Sequence, residues 1–401
     1  IEIGPKPGME GGHLIFHGSL PELLNSKKSV TSRWLNYDNK YEKLTPKVTQ
    51  NNATRGFVRI NKVSLHNLKN VSVNIPLGKL VCVAGVSGSG KSTLINEIVY
   101  QALSEPNPSK SVQSDEHFND VLLVDQNTIS KTPRSNAILY ADGWSPIKEA
   151  LGRSDDAKRL GYFSSDFSFN AGNGRCEECM GLGYNVVEMQ FLSDVQIPCS
   201  YCDGMRFKED ILSVKLGKLS VFDILNLSVN QAIEQFSSFP KTFKKLKLLH
   251  DVGLGYLKLG QPLNTLSGGE SQRLKLVKYM GGLKKVTTPS LLLIDEPTTG
   301  LHMEDVGNLI GALRTIVDAG HSLIVIEHNT QLLMSSDWIL EIGPEAGSKG
   351  GKVVAEGTPH SYKKKKTETA KFLFARKQIF EPIKFSKSTK RLHGKSRDYV
   401  C

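Results

Sequence analysis

The sequence predicts an α/β fold in which a parallel sheet carries a glycine-rich loop and is interrupted by an inserted module with paired cysteines. Three observations predict this fold class. The glycine-rich segment 85–93 stands between an apolar strand and a helix-like run. A second apolar strand, in segment 290–297, ends in two adjacent carboxylates. Two pairs of cysteines lie between these segments.

The glycine-rich segment, GVSGSGKST, matches the phosphate-binding pattern GxxxxGK[ST]. Its glycines let backbone N–H groups surround a phosphate, and the helix N-terminus adds a positive partial charge. Lys91 would reach the β- and γ-phosphates, and Ser92 would bind Mg²⁺. The alternative is a glycine-rich turn that opens an ordinary helix. The residues assigned to the nucleotide are Gly85, Ser87, Gly88, Gly90, Lys91, Ser92 and Thr93.

Segment 290–297, SLLLIDEP, is typical of a buried parallel strand, and acids at a strand end indicate a functional site. We assign Asp295 to Mg²⁺, through water, and Glu296 to proton removal from the attacking water. A later strand, 322–326, is followed by His328, which could contact a γ-phosphate, although a lone histidine is more often structural.

Two further segments complete the predicted nucleotide site. The short strand 121–124 ends next to Gln126. The sequence LSGGE opens another helix and offers a second anion-binding terminus, or alternatively a simple helix cap. The residues assigned there are Ser267, Gly268 and Gly269.

The cysteine pairs have the spacing of a structural zinc site. Cys176 and Cys179 are separated by nineteen residues from Cys199 and Cys202, which fits CxxC-x15–20-CxxC. Each pair can place two thiolates on one side of a tight turn, and four thiolates close a tetrahedron without an open position. The alternatives are unrelated thiols or two redox pairs. The cysteine usage favours a reducing, cytoplasmic environment over a secreted disulfide scaffold.

The net charge of +11 is concentrated at the end of the chain. Residues 363–401 hold 13 Lys/Arg and 3 Asp/Glu, a net of +10, which leaves 38 basic and 37 acidic residues before them. This basic tail, 361–401, could contact nucleic acid or an acidic partner, or be a solvated extension. No apolar run approaches the roughly 20 residues of a membrane helix, so we expect no membrane association.

The phosphate loop, Gln126, LSGGE, the acid-ended strand and the later histidine occur in the order used by ATP-binding-cassette ATPases. Lys91 and Ser267 are 176 positions apart, which is wide for a compact cassette and indicates an insertion. The predicted parts are a first ATP-binding core segment (56–130), an inserted region (131–262) with the zinc module (175–208), and a second core segment (263–360).

The beginning of the chain resembles a segment near its end. Residues 1–12, IEIGPKPGMEGG, match seven of twelve positions in 340–351, LEIGPEAGSKGG, at a constant offset of 339. So long a period suggests two copies of a whole domain, the alternative being chance similarity of glycine-rich hairpins. We expect 1–24 to end a preceding cassette and the polar segment 25–55 to be a linker. Because the chain starts at Ile1, we expect a fragment of a longer protein.

Several motifs together resemble one family: GVSGSGKSTLINE, TPRSN, FSFN, GRCEEC, TLSGGESQR, IDEPTTGLH and VIEHN. They are similar to the second half of the UvrA-type excinuclease proteins, and the resemblance covers nearly all of residues 1–360. It implies two cassettes per protein and a homodimer that binds double-stranded DNA with little sequence preference. It also implies damage recognition in nucleotide excision repair with a UvrB-type partner, driven by ATP, Mg²⁺ and Zn²⁺.

The resemblance also assigns roles to particular residues. It implies catalytic roles for Lys91, Glu296, His328 and Gln126, and Gln126 would couple the nucleotide to the insert. It places the segment 267–269 at the γ-phosphate of an opposing site. Residues in loops near the insert are the DNA-contact candidates: Arg134, Ser135, Asn136, Arg175 and Arg206.

The sequence departs from the family pattern in places. Segment 127–130 replaces a common Pro-Ile-Gly turn, Ala137 replaces a proline after TPRSN, and 171–174 lacks a usual basic residue. These changes fall on the insert and spare the ATPase motifs. A paralogue that protects DNA from bound drugs is therefore an alternative. Two alternatives from other classes also remain open: an RNA- or ribosome-acting cassette ATPase and the ATPase component of a transporter.

Overall fold

The computed structural model describes residues 1–5, 11–35, 54–105, 110–129, 133–187, 189, 195–282 and 288–374. Most of the predicted linker (36–53) and of the predicted basic tail (375–401) therefore lies outside the described residues.

In the described part of the chain the strands are β1 (Glu2–Gly4), β2 (His13–Phe16), β3 (Phe57–Val63), β4 (Val71–Pro76), β5 (Leu80–Ala84), β6 (Val112–Ser114), β7 (Val121–Val124), β8 (Tyr184–Val187), β9 (Val195–Pro198), β10 (Lys215–Leu216), β11 (Leu219–Ser220), β12 (Leu291–Asp295), β13 (Ser322–Ile326), β14 (Trp338–Gly343) and β15 (Lys352–Gly357).

The α-helices of the described part are α1 (Leu20–Leu24), α2 (Val30–Leu35), α3 (Gln101–Ser104), α4 (Ala137–Tyr140), α5 (Ser145–Gly152), α6 (Asp155–Leu160), α7 (Glu209–Ser213), α8 (Val221–Asn226), α9 (Val229–Gln235), α10 (Pro240–Asp251), α11 (Gly268–Gly282), α12 (Met303–Asp318), α13 (Thr330–Met334) and α14 (Glu368–Phe374). A π-helical segment, Thr93–Tyr100, precedes α3. Short 3₁₀ turns are Ser164–Phe167, Leu263–Thr265, Gly347–Lys349 and Pro359–Lys364.

The main sheet confirms the predicted α/β class. Its six strands have the order β15-β14-β5-β13-β12-β7. The strands from β14 to β7 run parallel, and β15 pairs antiparallel with β14. The carboxyl ends of parallel strands share one edge, which is where ligand-binding loops of such sheets meet.

Both faces of the main sheet are buried, as expected for parallel strands. Alternate residues of β5 point to opposite faces, because the side-chain period of a strand is two. Leu80 and Cys82 join a core with helices α5, α10, α11 and α12. Val81 and Val83 join a second core with the Thr93–Tyr100 segment and the antiparallel sheet β4-β3-β6. Each fully buried aliphatic side chain stabilises the fold by about 1.5–3 kcal/mol.

The two similar glycine-rich segments form hairpins with the same geometry. β1 pairs with β2 and β14 pairs with β15, both antiparallel and both with a register shift directly after a glutamate, Glu2 or Glu341. The pairs Ile3↔Leu14 and Ile342↔Val353 are equivalent at the offset of 339. The sequence similarity therefore corresponds to a repeated structure.

The repeat continues beyond the hairpins, and this changes one predicted boundary. Glu2 accepts hydrogen bonds from the N–H groups of Val30 and Thr31, both 3.1 Å, at the start of α2. Glu341 accepts one from the N–H of Thr369, also 3.1 Å, at the equivalent position of α14. Helix α2 thus lies inside the segment 25–55 that we predicted to be a linker. The helix has only six residues within a mostly polar segment, which is too short for a helical periodicity to be recognised in the sequence.

Two other segments contain structure that the sequence pattern did not predict. The polar stretch 104–117 contains β6, which pairs with β3 as an edge strand. Only Val112 of β6 is buried, so the alternation is too short to detect. Helices α4, α5 and α6 occupy a stretch of weak periodicity, because each has only four to eight residues.

No helix among the described residues is long and apolar enough to cross a membrane.

A buried ion pair links α12 to the main sheet and provides a test of this packing. Arg314 Nη1 lies 2.8 Å from Asp337 Oδ2, and both side chains are 12% exposed. Asp337 Oδ2 also accepts a hydrogen bond from the N–H of Leu80, 2.8 Å. The change Arg314→Leu leaves a buried carboxylate without its cation and should lower the free energy of unfolding by about 3 kcal/mol. Urea denaturation measures it.

The matched control is Arg153→Leu, because Arg153 and Glu149 form an exposed pair on α5. Such a pair contributes little to stability. Equal destabilisation by the two variants would contradict the role given to Arg314.

Candidate nucleotide and metal sites

The predicted phosphate loop follows β5 and is held in an unusual backbone conformation. Gly85 has φ +137°, and a Cβ at that position would lie 2.0 Å from the carbonyl oxygen of Ile342. No other residue type fits there without displacement of β14. Lys91 donates to the carbonyls of Gly85 and Val86, both 2.9 Å, so its ammonium lies across the loop. Burial lowers the pKa of Lys91, against the raising effect of Glu296.

The repeated hairpin supports the phosphate loop through its backbone. The N–H groups of Gly347 and Gly351 donate to the carbonyls of Gly88 and Ser89, both 3.0 Å. Asn67 Nδ2 also donates to the carbonyl of Gly88, 3.0 Å. These contacts fix the loop in place before any ligand binds, which is how a preorganised site avoids an ordering cost.

The two residues assigned to Mg²⁺ are brought together. Asp295 stands at the end of β12, and burial raises its pKa while hydrogen bonds from Asn96 and Ser92 oppose that rise. Asn96 Nδ2 lies 3.2 Å from Asp295 Oδ2. A hydroxyl and a carboxylate are the oxygen ligands that Mg²⁺ uses in such sites. The sequence reasoning missed Asn96, although its position one turn after Ser92 could have indicated it.

Glu296 and His328 also meet at the sheet edge, as assigned. Glu296 Oε1 lies 3.7 Å from His328 Nδ1, and the side chains are 37% and 69% exposed. Glu296 has a left-handed backbone, with φ +49°, and its N–H donates to the carbonyl of Ile326, 2.9 Å. A left-handed conformation at a non-glycine residue is costly and is found preferentially at functional sites.

The segment 266–270 begins α11, and its turn is closed by a capping box. The N–H of Ser267 donates to Glu270 Oε2, 2.7 Å, and the N–H of Glu270 donates to Ser267 Oγ, 3.3 Å. Gln126 is exposed and lies beside this turn, since a Cβ on Gly268 would be 3.1 Å from its carbonyl oxygen. Gly269 lies in the same turn.

Helix α11 is hydrogen-bonded to the ends of strands β7 and β12, and not to strand β5, which leads into the phosphate loop. Gln272 Nε2 donates to the carbonyls of Val124, 2.9 Å, and of Asp295. Lys275 Nζ lies 2.5 Å from Asp125 Oδ1. Strand β7 is the third strand from β5, which at about 4.8 Å per strand separates their ends by about 14 Å.

The four predicted zinc ligands converge in one buried cluster. The sulfur atoms of Cys176, Cys179, Cys199 and Cys202 lie within 4.8 Å of one another. Cys176 Sγ is 4.0 Å from Cys199 Sγ, and Cys179 Sγ is 3.7 Å from Cys202 Sγ. A tetrahedron with Zn–S bonds of about 2.3 Å requires sulfurs about 3.8 Å apart. The geometry of the thiols therefore fits zinc.

Backbone contacts hold the two cysteine turns against each other. The N–H of Cys199 donates to the carbonyl of Gly183, 3.0 Å, and the N–H of Cys176 donates to the carbonyl of Arg206, 2.9 Å. The N–H of Gly183 also points at Cys179 Sγ, 3.2 Å, an interaction that stabilises thiolates.

The predicted DNA-contact residues occupy different environments. Arg134 is exposed and donates to the carbonyl of Met180, 3.1 Å, and Ser135 is half-buried beside it. Asn136 is buried and caps α4 through Leu139 N, 3.0 Å. Two others contact the protein itself: Arg175 donates to Asn170 O, 2.8 Å, and Arg206 donates to Gly260 O, 3.2 Å.

We expect Cys199→Ser to release zinc, because the loss of one thiolate opens the tetrahedron. Elemental analysis of the purified chain should give one zinc per wild-type chain and much less in the variant. The matched control is Cys82→Ala, which removes a buried thiol within β5 and should retain the metal. Wild-type protein without zinc would contradict the assignment.

The comparisons with known proteins agree with this geometry. The chain is 41% identical to the UvrABC system protein A of Thermus thermophilus over 382 residues, 93% of this chain and 40% of that protein. It is 45% identical to the one of Helicobacter pylori over 386 residues, 93% of this chain and 41% of that protein. It therefore spans about two fifths of the length of these curated relatives. No protein-family model matches the chain.

A solved structure extends the likeness to the fold. The crystal structure of UvrA2 from Deinococcus radiodurans superimposes with a TM-score of 0.82 and 37% identity, covering 93% of this chain and 45% of that one. The phosphate loop, the acid-ended strand and the cysteine module stand on a shared architecture. By sequence and by fold, this chain is similar to a part of the UvrA proteins that makes up about two fifths of their length.

Proposed function

We propose that this chain is an ATP-hydrolysing cassette of a UvrA-type protein that recognises damaged DNA in nucleotide excision repair. One observation carries the proposal: Lys91, Asp295, Glu296 and His328 meet at one sheet edge within a UvrA-like fold that also holds a four-cysteine cluster. The transporter and RNA-acting alternatives are not favoured, since the similarity to UvrA proteins covers 93% of the chain.

The residues at the carboxyl ends of the parallel strands would each have a separate role in phosphoryl transfer. Lys91 would place its charge on the β- and γ-phosphates, and the backbone of 85–93 would hold their oxygens. Ser92 and Asp295 would hold Mg²⁺, which neutralises the charge that develops on the phosphates. Glu296 would orient and deprotonate the attacking water, and His328 would contact the γ-phosphate. Gln126, beside the segment 267–269, would report nucleotide binding to the insert.

The separation of α11 from β5 supports a head-to-tail arrangement of two cassettes. Ser267 and Lys91 would then serve different ATP sites, each completed by a second cassette or by another copy in a homodimer. The N-terminal hairpin supports a preceding cassette. Ile3 is 69% exposed, whereas its equivalent Ile342 is fully buried between β5 and the second core. The first hairpin thus exposes an apolar residue at the position where the second hairpin packs against the main sheet.

The proposed partners are double-stranded DNA and a UvrB-type protein. Phosphate contacts would give sequence-tolerant binding, and Arg134 and Ser135 have the exposure that such contacts need. Asn136, Arg175 and Arg206 would contribute by shaping the neighbouring loops. A paralogue that protects DNA from bound drugs would share this ATPase but not the response to damage.

Two variants test the ATPase. Lys91→Ala should weaken MgATP binding, and Glu296→Gln should retain binding but lower kcat by about 100-fold or more, because it removes only the base. ATP turnover and nucleotide affinity are measured over a range of chain concentrations. Turnover per chain should rise with concentration, since each site needs a second surface. Unchanged hydrolysis in both variants would contradict the site.

DNA binding should fall steeply with salt and be tighter for damaged than for intact duplex. Arg134→Ala should reduce the slope of log Kobs against log[salt] by about one. Arg59→Ala, in an ion pair with Asp115 on the antiparallel sheet outside the inserted region, is the control and should leave the slope unchanged. Equal affinity for DNA and a neutral polymer would reject the DNA-binding function, and indifference to damage would favour the drug-protecting paralogue.

A further inference from the structure

Glu327 is a buried carboxylate that the proposed mechanism does not use. It stands directly before His328 at the end of β13 and is 0% exposed, whereas the His328 side chain is 69% exposed. Its N–H donates to the carbonyl of Val83, 3.1 Å, in the strand that leads into the phosphate loop. A buried charge is costly unless it is fully hydrogen-bonded, so its contacts indicate its role.

The carboxylate of Glu327 accepts hydrogen bonds from two different loops. One oxygen accepts from the N–H of Thr298, 3.0 Å, and from its hydroxyl, 2.5 Å. The other accepts from the N–H groups of His328 and Asn329, both 2.8 Å. An ionised carboxylate has about four acceptor positions and no donor, so these four donors fill its capacity. Bonds to a charged acceptor are about twice as strong as neutral ones.

The Thr298 turn leads on to α11. The carbonyl of Thr299 accepts a hydrogen bond from Arg273 Nη1, 3.0 Å, and Arg273 is 2% exposed. The N–H of Thr299 donates to the carbonyl of Glu296, 3.2 Å. The turn therefore contacts the water-activating residue on one side and the helix that begins at segment 267–269 on the other.

We propose that Glu327 is a positioning residue that holds the His328 loop and the Thr298 turn at a fixed distance. It would thereby couple the ATP site that contains Lys91 and His328 to helix α11, whose first residues, 267–269, would serve a second ATP site. The proposal rests on the proposed function. Contact of His328 with a γ-phosphate would move the loop 327–329. The shared carboxylate would pass that shift to Thr298, and Arg273 would pass it to α11.

The substitution Glu327→Gln breaks this link on one side. A carboxamide has one acceptor oxygen, which can still serve the N–H groups of His328 and Asn329. Its NH₂ group then faces the N–H of Thr298, which loses its acceptor. We expect hydrogen–deuterium exchange at Thr298 to become at least about tenfold faster, with 328–329 much less affected. This measurement needs no ATP turnover.

The same variant should lower kcat about tenfold and change the Kd of MgATP less than about threefold, because it misplaces groups without removing a phosphate contact. Thr298→Val, which deletes only the hydroxyl, should act in the same direction, and the double variant should be no worse than Glu327→Gln alone. If Glu327→Gln does not fold, the proposal is tested with Thr298→Val, by the same measurements of hydrogen–deuterium exchange, kcat and the Kd of MgATP.

The matched control is Glu341→Gln. Glu341 is also a buried carboxylate, 4% exposed, in the strand next to β5, but its oxygens accept hydrogen bonds from Thr367 and Thr369 and not from the Thr298 turn or the His328 loop. It should lose thermal stability without a change in kcat or in exchange at Thr298. Unaltered exchange and kcat in Glu327→Gln would overturn the proposal, as would equal loss of kcat in both variants. A wild type without ATPase activity would instead refute the proposed function, while the exchange result still decides the linkage.

Discussion

The burial of a parallel sheet on both faces is the constraint on which the rest of this structure depends. Strands β5, β13 and β12 are almost wholly inaccessible to solvent, so their polar groups can gather only where the strands end. Parallel direction places those ends on one edge. Lys91, Asp295, Glu296 and His328 come together there, although more than 230 positions separate the first from the last. The apolar runs thus determine where charge can be placed.

The cysteine module depends on a different interaction. Its four sulfurs form a cluster with Leu182 as the neighbouring apolar side chain, and the ribbon of β8 and β9 exposes valines and Ile197 to solvent. A two-stranded ribbon is marginal by itself. Metal–thiolate bonds can replace a hydrophobic core in so small a unit, since binding energy then becomes folding energy. A metal ion bound by the four thiolates would therefore give the module the stability that hydrophobic cores give the cassette.

The two copies of the glycine-rich hairpin, β1–β2 and β14–β15, have different neighbours and therefore different roles. In both, a glutamate of the first strand, Glu2 or Glu341, accepts a hydrogen bond from the start of a helix 28 positions later. The second copy also pairs with β5 and holds the phosphate loop through Gly347 and Gly351. The first copy pairs only with its own β2 in the described residues. The local sequence is sufficient to form the hairpin. Only pairing with β5 places the second copy where it can support the phosphate loop.

Elements with a strong local pattern could be predicted from the order of residues alone. Strands Val121–Val124 and Ser322–Ile326 have the predicted bounds, because continuous apolar runs between turns identify buried strands. Spacing and motif resemblance also selected residues that the fold brings together, the four cysteines and the pair Glu296 and His328. Short elements such as β6 and α2 were not predicted, because neighbouring segments stabilise them more than their own composition does.

Contacts between polar side chains of distant segments could be identified only in the folded protein. It showed that Asn96 reaches Asp295, that Glu327 joins two loops, and that Arg206 turns toward Gly260 rather than simply outward. No local pattern marks such residues, since hydrogen bonds over such distances depend on how strands and helices pack. Sequence periodicity specifies which face of an element is buried, and packing specifies what that face touches.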